Sequence, residues 1–561
     1  MTADASPEAV RSAWVAQRRR SGRLGQLRRA AARARAGDVR QAVPRAFAAI
    51  AHPARPAPRT VRVDDLVLPV LTPEAIPPRR RDIAATVLDA RAAASLRPEW
   101  EQLDLLSSTW RSQLAPRPAL VLVQASAASL WPPEELAGLR AWCSRDAIPF
   151  LLWADEAVPE SLAPDQVVVL GPWAQPRLHR PVLWGPGRVY ALATDDPPPR
   201  ELAPLLAGAA GLAPVHLVPD RHRLDAQASV AVHLHAGAPQ RLVELAAAAT
   251  PVLTVAEADA ERILGRDLAQ VATTPEQAHE VLADLLSDAD ARDRLGHRLH
   301  RRVLDTHTAG HRVEELLEAA GIASAASTPG VSVLLATNRP GQIDHALAQV
   351  AGQTWPSLQL VVALHGPIAD PEQVAARARA AGVDDVVVVV GDATCSLGAV
   401  LDLALDAADG DVVAKVDDDN LYAPAYLTDL VRALDWSDAH VVGKWAHHVW
   451  VEGERRLLLR FAGSEHRFTD KVQGGTLLVR GDVARRLRFD DLPRGVDTAF
   501  LRRCDELGLR VYSADRWNFV SVRRADPSDH TWPATAEQLQ AGDTVVVASG
   551  ADLDPLAVVS V

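Results

Sequence analysis

Short apolar runs alternate with stretches of helical periodicity along most of this 561-residue chain. In the C-terminal half, the runs at 331–337, 358–364 and 386–390 are each followed by a segment with helical features. Successive parallel strands need a long crossover connection, and a helix usually supplies it. The sequence therefore predicts an α/β fold built on parallel sheets.

A fourth apolar run, 412–416, ends in three consecutive acids, Asp417, Asp418 and Asp419. Ligands of open α/β sheets bind beyond the carboxyl ends of the strands, which is where these acids fall. A hard divalent cation such as Mn²⁺ or Mg²⁺ takes carboxylate oxygens and shares its other positions with water and phosphates. The triplet predicts a metal site, and the apolar run before it weakens the alternative of a solvated acidic turn. Lys415 would share a strand face with Asp417, its expected partner.

Charge is distributed unevenly along the chain. The net charge is −11, yet residues 1–60 form an Arg-rich segment expected to be a helical arm. The arm could contact an anionic membrane surface or pack on the acidic body of the protein. We expect no nucleic-acid binding, since no motif of that class follows the arm. Without an 18-residue apolar run or a signal peptide, we expect a cytoplasmic location, with peripheral contact to the inner membrane face through the arm.

Composition shifts divide the chain into four predicted parts. The basic arm, residues 1–60, precedes an α/β domain at 61–325. A small-residue linker leads to a second α/β domain at 329–535, and 536–561 is predicted to be a C-terminal tail. Three widely separated cysteines argue against a disulfide framework.

The second domain carries a set of motifs that resembles a known family. The opening segment VSVLLATNRP, the sequence Gln353-Thr354-Trp355-Pro356 and the strand ending in Asp417-Asp418-Asp419 together resemble the GT-A glycosyltransferases of family 2. The resemblance covers residues 331–535. It implies transfer of a sugar from a nucleotide-diphosphate-sugar to an acceptor hydroxyl, with inversion and with a divalent metal.

The resemblance also implies roles for residues around the triplet. Asp417 and Asp419 would be the DxD pair, with Asp419 the main metal ligand. The donor diphosphate would lie near the following residues: Asp417, Asp418, Thr337, Arg339 and Lys415. Asp497 would be the catalytic base, although Val496 stands where the family usually has a first acid. The alternative for Asp497 is a helix N-cap.

Further positions are assigned to the acceptor side or left open. The acceptor would lie near Gly474, Gly475, Thr476, Lys444, Glu465 and Trp532. His530 would complete the metal shell or contact the donor phosphates, or it is simply solvated. The segment 362–366 lacks the Asp that in many family members holds the nucleobase, so the donor base stays open.

Residues 61–322 more weakly resemble the GT-B-type domain of spore-maturation CgeB-like proteins. In GT-B enzymes a Glu at the position of Glu244 often holds the donor ribose, but a helix-surface role is preferred here. The domain could be a degenerate donor domain, an acceptor platform or a second transferase. For the whole chain, the rivals are a non-catalytic carbohydrate-binding scaffold and a metal-dependent phosphatase of the haloacid-dehalogenase type.

Overall fold

The computed structural model describes residues 77–155, 166–181, 188–192, 200–209, 212, 215–218, 230–235, 239–323, 328–524, 539 and 543–561. The basic arm, His530 and Trp532 lie outside the described residues. The described chain divides between residues 327 and 328 into two compact units. Within it, no helix combines the length and apolarity required to span a bilayer.

The first half of the N-terminal unit is a parallel sheet of order β2-β1-β3-β4-β5. Its strands are β1 (Ile83–Val87), β2 (Glu101–Asp104), β3 (Leu120–Gln124), β4 (Phe150–Trp153) and β5 (Gln166–Val168). Its helices are α1 (Ala90–Leu96), α2 (Trp110–Gln113), α3 (Ala125–Ala128) and α4 (Pro133–Arg145). Strands β3 and β4 are buried along their whole length, as expected for a parallel sheet, whereas Val167 of β5 is 47% exposed.

The second half is another parallel sheet, of order β10-β9-β8-β6-β7. Its strands are β6 (Arg188–Leu192), β7 (Val215–Val218), β8 (Val230–His235), β9 (Val252–Thr254) and β10 (Gln270–Val271). Its helices are α5 (Ala203–Ala209), α6 (Pro239–Ala247), α7 (Glu257–Leu264), α8 (Pro275–Ser287) and α9 (Ala289–Thr306). Thr274 caps α8 through a capping box with Gln277, which explains the sharp start of that helix.

The last helix of this unit, α10 (Ala309–Ala319), returns to the first half. Its apolar face, which includes Val313 and Leu316, packs in one core with Leu96, Trp100 and Leu120. The two halves are thus joined by the crossing helix. This is the two-sheet arrangement expected of a GT-B-like domain.

Glu244, on α6, joins the two halves electrostatically. Both of its carboxylate oxygens lie 2.6 Å from Arg91 of α1, and Arg241 lies 2.8 Å away. The side chain is only 4% exposed. Burial would raise the pKa of Glu244, but the charges of His179, Arg91 and Arg241 lower it to about 2. Glu244 is therefore neither a surface residue, as preferred from sequence, nor a carboxylate that faces solvent.

Replacing Glu244 by Gln should destabilise the N-terminal unit by about 3 kcal/mol, because two guanidinium groups lose a buried partner. A lowered folded-state pKa contributes stability above the unfolded value, and this is lost as pH falls toward about 2. Urea unfolding at pH 7 and below pH 4 measures both effects. Glu261→Gln, which breaks the 3.0 Å pair with the well-exposed Arg266, is the control and should change stability by less than about 1 kcal/mol. Equal stability of the two variants at pH 7 would contradict the assignment of Glu244 as the buried partner of Arg91 and Arg241.

The C-terminal unit opens with four parallel strands in the order β13-β12-β11-β14. They are β11 (Val331–Thr337), β12 (Leu358–His365), β13 (Val386–Gly391) and β14 (Val412–Val416), connected by α11 (Ile343–Ala351), α12 (Pro371–Ala380) and α13 (Leu397–Asp406). The four strands and three helices predicted before the acids are all present. The strand order reverses between β11 and β14, and a crevice for ligands is expected at such a point.

The rest of the unit extends this sheet and adds a second one. The remaining strands are β15 (Leu421–Tyr422), β16 (Val441–Gly443), β17 (His447–Val451), β18 (Arg456–Arg460), β19 (Arg467–Thr469), β20 (Leu478–Arg480), β21 (Val511–Ser513), β22 (Phe519–Arg523) and β23 (Thr544–Ser549). The remaining helices are α14 (Tyr426–Ser437), α15 (Gly481–Leu487), α16 (Val496–Glu506) and α17 (Pro555–Val559). The first sheet continues as β14-β20-β16-β21-β19, and the second has the order β15-β22-β17-β18-β23.

Within the segment 536–561, predicted to be a tail, residues 544–549 form a strand of this second sheet. Its strand β23 pairs antiparallel with β18, and Val559 of α17 is fully buried beside Leu457 and Val520. The β-branched residues of 544–547 favour a strand, and pairing with β18 supplies the partner that strand requires. The prediction of a tail was wrong for these residues.

Candidate active site

The carboxyl end of β14 and the loops of its neighbours meet at one edge of the large sheet. Strand β20 runs antiparallel to both β14 and β16, so β14 and β16 point the same way. The triplet after β14, the turn Gly474–Thr476 before β20 and the residues after β16 therefore leave the sheet at the same edge. This edge holds several of the side chains proposed from sequence.

Lys415 connects two of the proposed acids. Its buried ammonium Nζ lies 2.6 Å from Asp417 Oδ1 and 3.3 Å from Asp497 Oδ1. It also donates a hydrogen bond to the carbonyl of Gly474. Burial would lower the pKa of Lys415, but the two carboxylates outweigh burial and raise it. Two acids 80 positions apart in sequence, Asp417 and Asp497, are thus held on one cation.

Two adjacent glycines allow this arrangement. A Cβ on Gly474 would lie 2.1 Å from Asp497 Oδ2, and one on Gly475 would lie 2.5 Å from Asp417 Oδ2. Tyr422 fixes the same turn, because its hydroxyl donates to the Gly475 carbonyl at 2.9 Å and accepts from the backbone N–H of Asp417 at 2.9 Å. Only a residue without a side chain fits at either position.

Asp418 is the buried member of the triplet. It accepts hydrogen bonds from Thr337 Oγ1 and from Arg339, whose Nε lies 3.1 Å from Asp418 Oδ2. With a side chain only 4% exposed, Asp418 has little room for a ligand. The structure thus brings together three of the residues assigned to the donor, but it pairs them with one another. We propose that Asp418 positions Arg339, which is one-third exposed, instead of contacting the donor itself.

Asp417 and Asp419 are the two acids of the triplet that reach solvent. Their side chains are 34% and 15% exposed. Burial and the neighbouring charge of Asp417 raise the pKa of Asp419, and Arg339, at 2.9 Å from Asp419 Oδ2, only partly offsets the increase. A divalent cation would relieve this repulsion between carboxylates. The carboxylates of Asp417 and Asp419 are therefore suitable ligands for Mn²⁺ or Mg²⁺.

Asp497 is the second residue of α16, and Gly495 is the N-cap of that helix. The alternative that Asp497 is the N-cap is therefore wrong. Its Oδ1 is buried and accepts no hydrogen bond within the described protein, although Lys415 lies 3.3 Å away. Burial raises the pKa of Asp497, Lys415 opposes the shift and Asp417 adds to it. A carboxylate with a raised pKa and an oxygen that lacks a donor can take up a proton.

Three other residues assigned to the acceptor side have their polar partners inside the fold. Thr476 is buried and bonds the backbone of Lys444 and Gln473. Lys444 is fully buried, with Nζ 2.8 Å from Asp515 Oδ1, and Glu465 is paired with Arg516 at 2.8 Å. Because these polar groups are satisfied inside the fold, we propose structural roles for them in place of acceptor contacts.

One cationic residue near the acids was missed from sequence. Arg523 ends β22, whose Val522 N–H bonds the side chain of Asn420 next to the triplet. Burial lowers the pKa of Arg523, whereas the charges of Asp419 and Asp417 act to raise it. The pairing of β22 with β15, which follows the triplet, and with β17 brings this residue to the site. No local sequence signal distinguishes it from the many other arginines.

Two family models match the chain. The model described as Glycosyl transferase family 2 matches residues 333–504, a span that includes the triplet and Asp497. The model described as Glycosyl transferase-like matches residues 214–318 of the N-terminal unit. The resemblance of the C-terminal unit to family 2 is confirmed. The C-terminal unit thus has a GT-A-like α/β fold, and the α/β domain before it is GT-B-like.

Solved structures of glycosyltransferases are also similar to part of the chain. Residues 1–349 of TarS from S. aureus, in complex with UDP-GlcNAc, are 18% identical with a TM-score of 0.29, covering 35% of this chain and 59% of that one. The mannosyltransferase PcManGT from Pyrobaculum calidifontis, in complex with GDP-Man and Mn²⁺, is 20% identical with a TM-score of 0.29, covering 35% and 57%. The chain thus spans less than two thirds of either structure. No curated protein matches it in sequence.

Proposed function

We propose that this chain transfers a sugar, with inversion, from a nucleotide-diphosphate-sugar to an acceptor hydroxyl. The observation that carries the proposal is the pairing of Lys415 with both Asp417 and Asp497 at the edge of a family 2 domain. One acid belongs to the proposed metal site, and the other has an oxygen without a hydrogen-bond donor. Inverting transfer needs those two functions, a cation at the leaving group and a base at the nucleophile.

In the proposed reaction, Asp497 accepts the proton of the acceptor hydroxyl. The hydroxyl oxygen bonds to the anomeric carbon as the bond from that carbon to the diphosphate breaks. The electron pair leaves with the nucleoside diphosphate. The ammonium of Lys415 favours the carboxylate form of Asp497 and so partly offsets the rise in the pKa of Asp497 that burial and Asp417 cause. A single displacement of this kind inverts the anomeric centre.

Asp419 and Asp417 would hold the divalent ion, and His530 stays a proposal as a further ligand. Bound there, Mn²⁺ or Mg²⁺ supplies charge neutralisation for the departing diphosphate. Arg339 and Arg523 place further positive charge around the same acids. We assign these two residues to the orientation of the donor phosphates.

The acceptor is proposed to be a glycan hydroxyl used in cell-surface polysaccharide synthesis in the cytoplasm. This part rests on analogy with the family and not on a feature of the site. The basic arm, residues 1–60, is the segment we propose for contact with an anionic membrane.

Thermal unfolding in the presence of UDP, GDP, CDP and dTDP, with and without Mn²⁺, tests the donor assignment. We expect at least one nucleotide to stabilise the C-terminal unit in a manganese-dependent way, by about 2.7 kcal/mol at a hundredfold excess over Kd. The nucleotide that does so identifies the donor base. If none of the four changes the unfolding temperature, the transferase proposal fails.

A further inference from the structure

An aromatic pair lies beside the acids on the same edge of the sheet. The rings of Trp445 and Phe461 stack with centroids 4.2 Å apart and planes within 10° of parallel. Both side chains are half-buried, so part of their aromatic surface faces solvent. The guanidinium of Arg460 lies 4.7 Å from the centre of the Phe461 ring. We call Trp445 and Phe461 the aromatic platform.

The backbone of Phe461 is in an unusual conformation. Its φ is +53°, in the left-handed region that bulky side chains rarely adopt. Asp543 fixes the next two residues. Its side chain accepts a hydrogen bond from the backbone N–H of Gly463 at 3.1 Å, and its backbone carbonyl accepts one from the backbone N–H of Ala462. Strained positions of this kind persist where the surroundings enforce them, and they cluster at ligand sites. Here the strained residue presents one ring of the platform.

The platform is close to the proposed catalytic turn. The carbonyl of Lys444, next to Trp445, accepts a hydrogen bond from Gln473 N–H at 2.9 Å. The side chain of Gln473 in turn accepts from Gly475 N–H at 2.6 Å. Strands β14 and β16 are separated by β20 alone, so the residues that follow them lie about 10 Å apart. That separation leaves room for the reacting sugar at the acids and a second ring at the platform.

The position of the aromatic platform relative to the acids distinguishes between two ligands, the nucleobase of the donor and the acceptor. The crevice for the nucleotide lies between β11 and β14, where the strand order reverses. Trp445 follows β16, on the other side of β14. His447, beside the platform, keeps a neutral ring near pH 7, because burial lowers its pKa to about 4. The position of the platform beyond β14, away from the β11–β14 crevice, favours an acceptor over a nucleobase.

We propose that the outer face of Trp445 in the aromatic platform binds the C–H face of a saccharide ring of the acceptor, because Phe461 covers the other face of Trp445 and Arg460 lies over the far face of Phe461. This inference rests on the proposed function and adds to it the residues that contact the proposed saccharide acceptor. A flat, rigid aromatic face contacts an apolar ring face at little entropic cost and leaves the rim of hydroxyls to solvent. One hydroxyl of the saccharide can then extend from the platform toward Asp497.

Binding of the full chain to immobilised tri- and tetrasaccharides of glucose, N-acetylglucosamine, mannose and galactose tests the proposal. Mn²⁺ and all four nucleoside diphosphates are present throughout. We expect the unchanged protein to bind at least one saccharide, Trp445→Ala to weaken that binding about tenfold or more, and Trp445→Phe to retain most of it. Trp355→Ala is the control, because Trp355 is equally half-buried but lies between α11 and β12, at the opposite edge of the sheet. It should bind like the unchanged protein.

Thermal shift with the same nucleotides separates this proposal from the donor assignment. Trp445→Ala should keep the full nucleotide-dependent shift. The platform proposal is overturned if the unchanged protein binds none of the saccharides, if Trp445→Ala binds as well as Trp355→Ala, or if it loses the nucleotide shift together with saccharide binding. Absence of any nucleotide shift in the unchanged protein would instead overturn the donor assignment.

Discussion

Replacing Asp497 by Asn is expected to lower kcat by about a thousandfold while leaving donor binding intact. The amide keeps the shape of the side chain but cannot take the proton of the acceptor hydroxyl. Turnover of the donor that the nucleotide panel identifies measures the first effect, and the manganese-dependent thermal shift measures the second. The pH profile gives a further readout. The ionised carboxylate is the active form, so activity should fall as pH drops through the raised pKa of Asp497, and the variant should lose this dependence.

Asp482→Asn is a matched control for this prediction. Asp482 is also the second residue of a helix, α15, but its side chain is largely exposed and pairs only with Arg480 on the surface. Its replacement should leave kcat unchanged. If Asp497→Asn abolishes the nucleotide-dependent shift as well as turnover, Asp497 has a structural role and the base assignment is wrong.

Replacing Asp419 by Asn should remove the manganese-dependent part of nucleotide binding and lower the rate by about a thousandfold. An amide is a weaker ligand for a hard cation than a carboxylate, and the charge that neutralises the diphosphate is lost with the ion. Thermal shift with the stabilising nucleotide, measured over a manganese titration, detects the loss directly. The unfolding temperature without manganese should stay the same or rise, because a carboxylate raised in pKa by burial and by Asp417 is being neutralised.

Asp409→Asn is the control for the metal site. Asp409 is exposed and precedes β14 at the opposite end from the triplet. The manganese titration of this variant should match that of the unchanged protein. A normal manganese response in Asp419→Asn would place the ion elsewhere.

Local patterns were sufficient to predict the four parallel strands that open the C-terminal unit. The strands β11 to β14 and their helices follow from apolar runs and helical spacing, because each element buries one continuous surface. The strands β6 and β8 of the N-terminal unit were not predicted, although the turn-forming residues Gly185, Pro186 and Gly187 precede β6. Strand β23 was also missed, because its stability depends on a partner, β18, more than eighty residues earlier.

The site was predictable as a set of residues but not as a set of contacts. The triplet and Asp497 could be proposed from motif and resemblance. Sequence spacing could not show that Asp418 faces inward to Thr337 and Arg339, or that Lys444 is paired with Asp515. Such pairings depend on which strands become neighbours. The same limit applies to Arg523, which reaches the acids only through the second sheet.

The turn at Gly474 and Gly475 limits how the proposed transferase could diversify. Each of these consecutive residues faces one carboxylate, so the spacing between the metal side and the base side is fixed by backbone and not by rotamers. Because the backbone sets this spacing, rotamer changes of side chains do not alter it. Substitution of either glycine cannot adjust the spacing, because any side chain there would displace Asp417 or Asp497. Variants with new sugar or acceptor preferences should therefore arise from changes around this turn, while the two glycines stay the same.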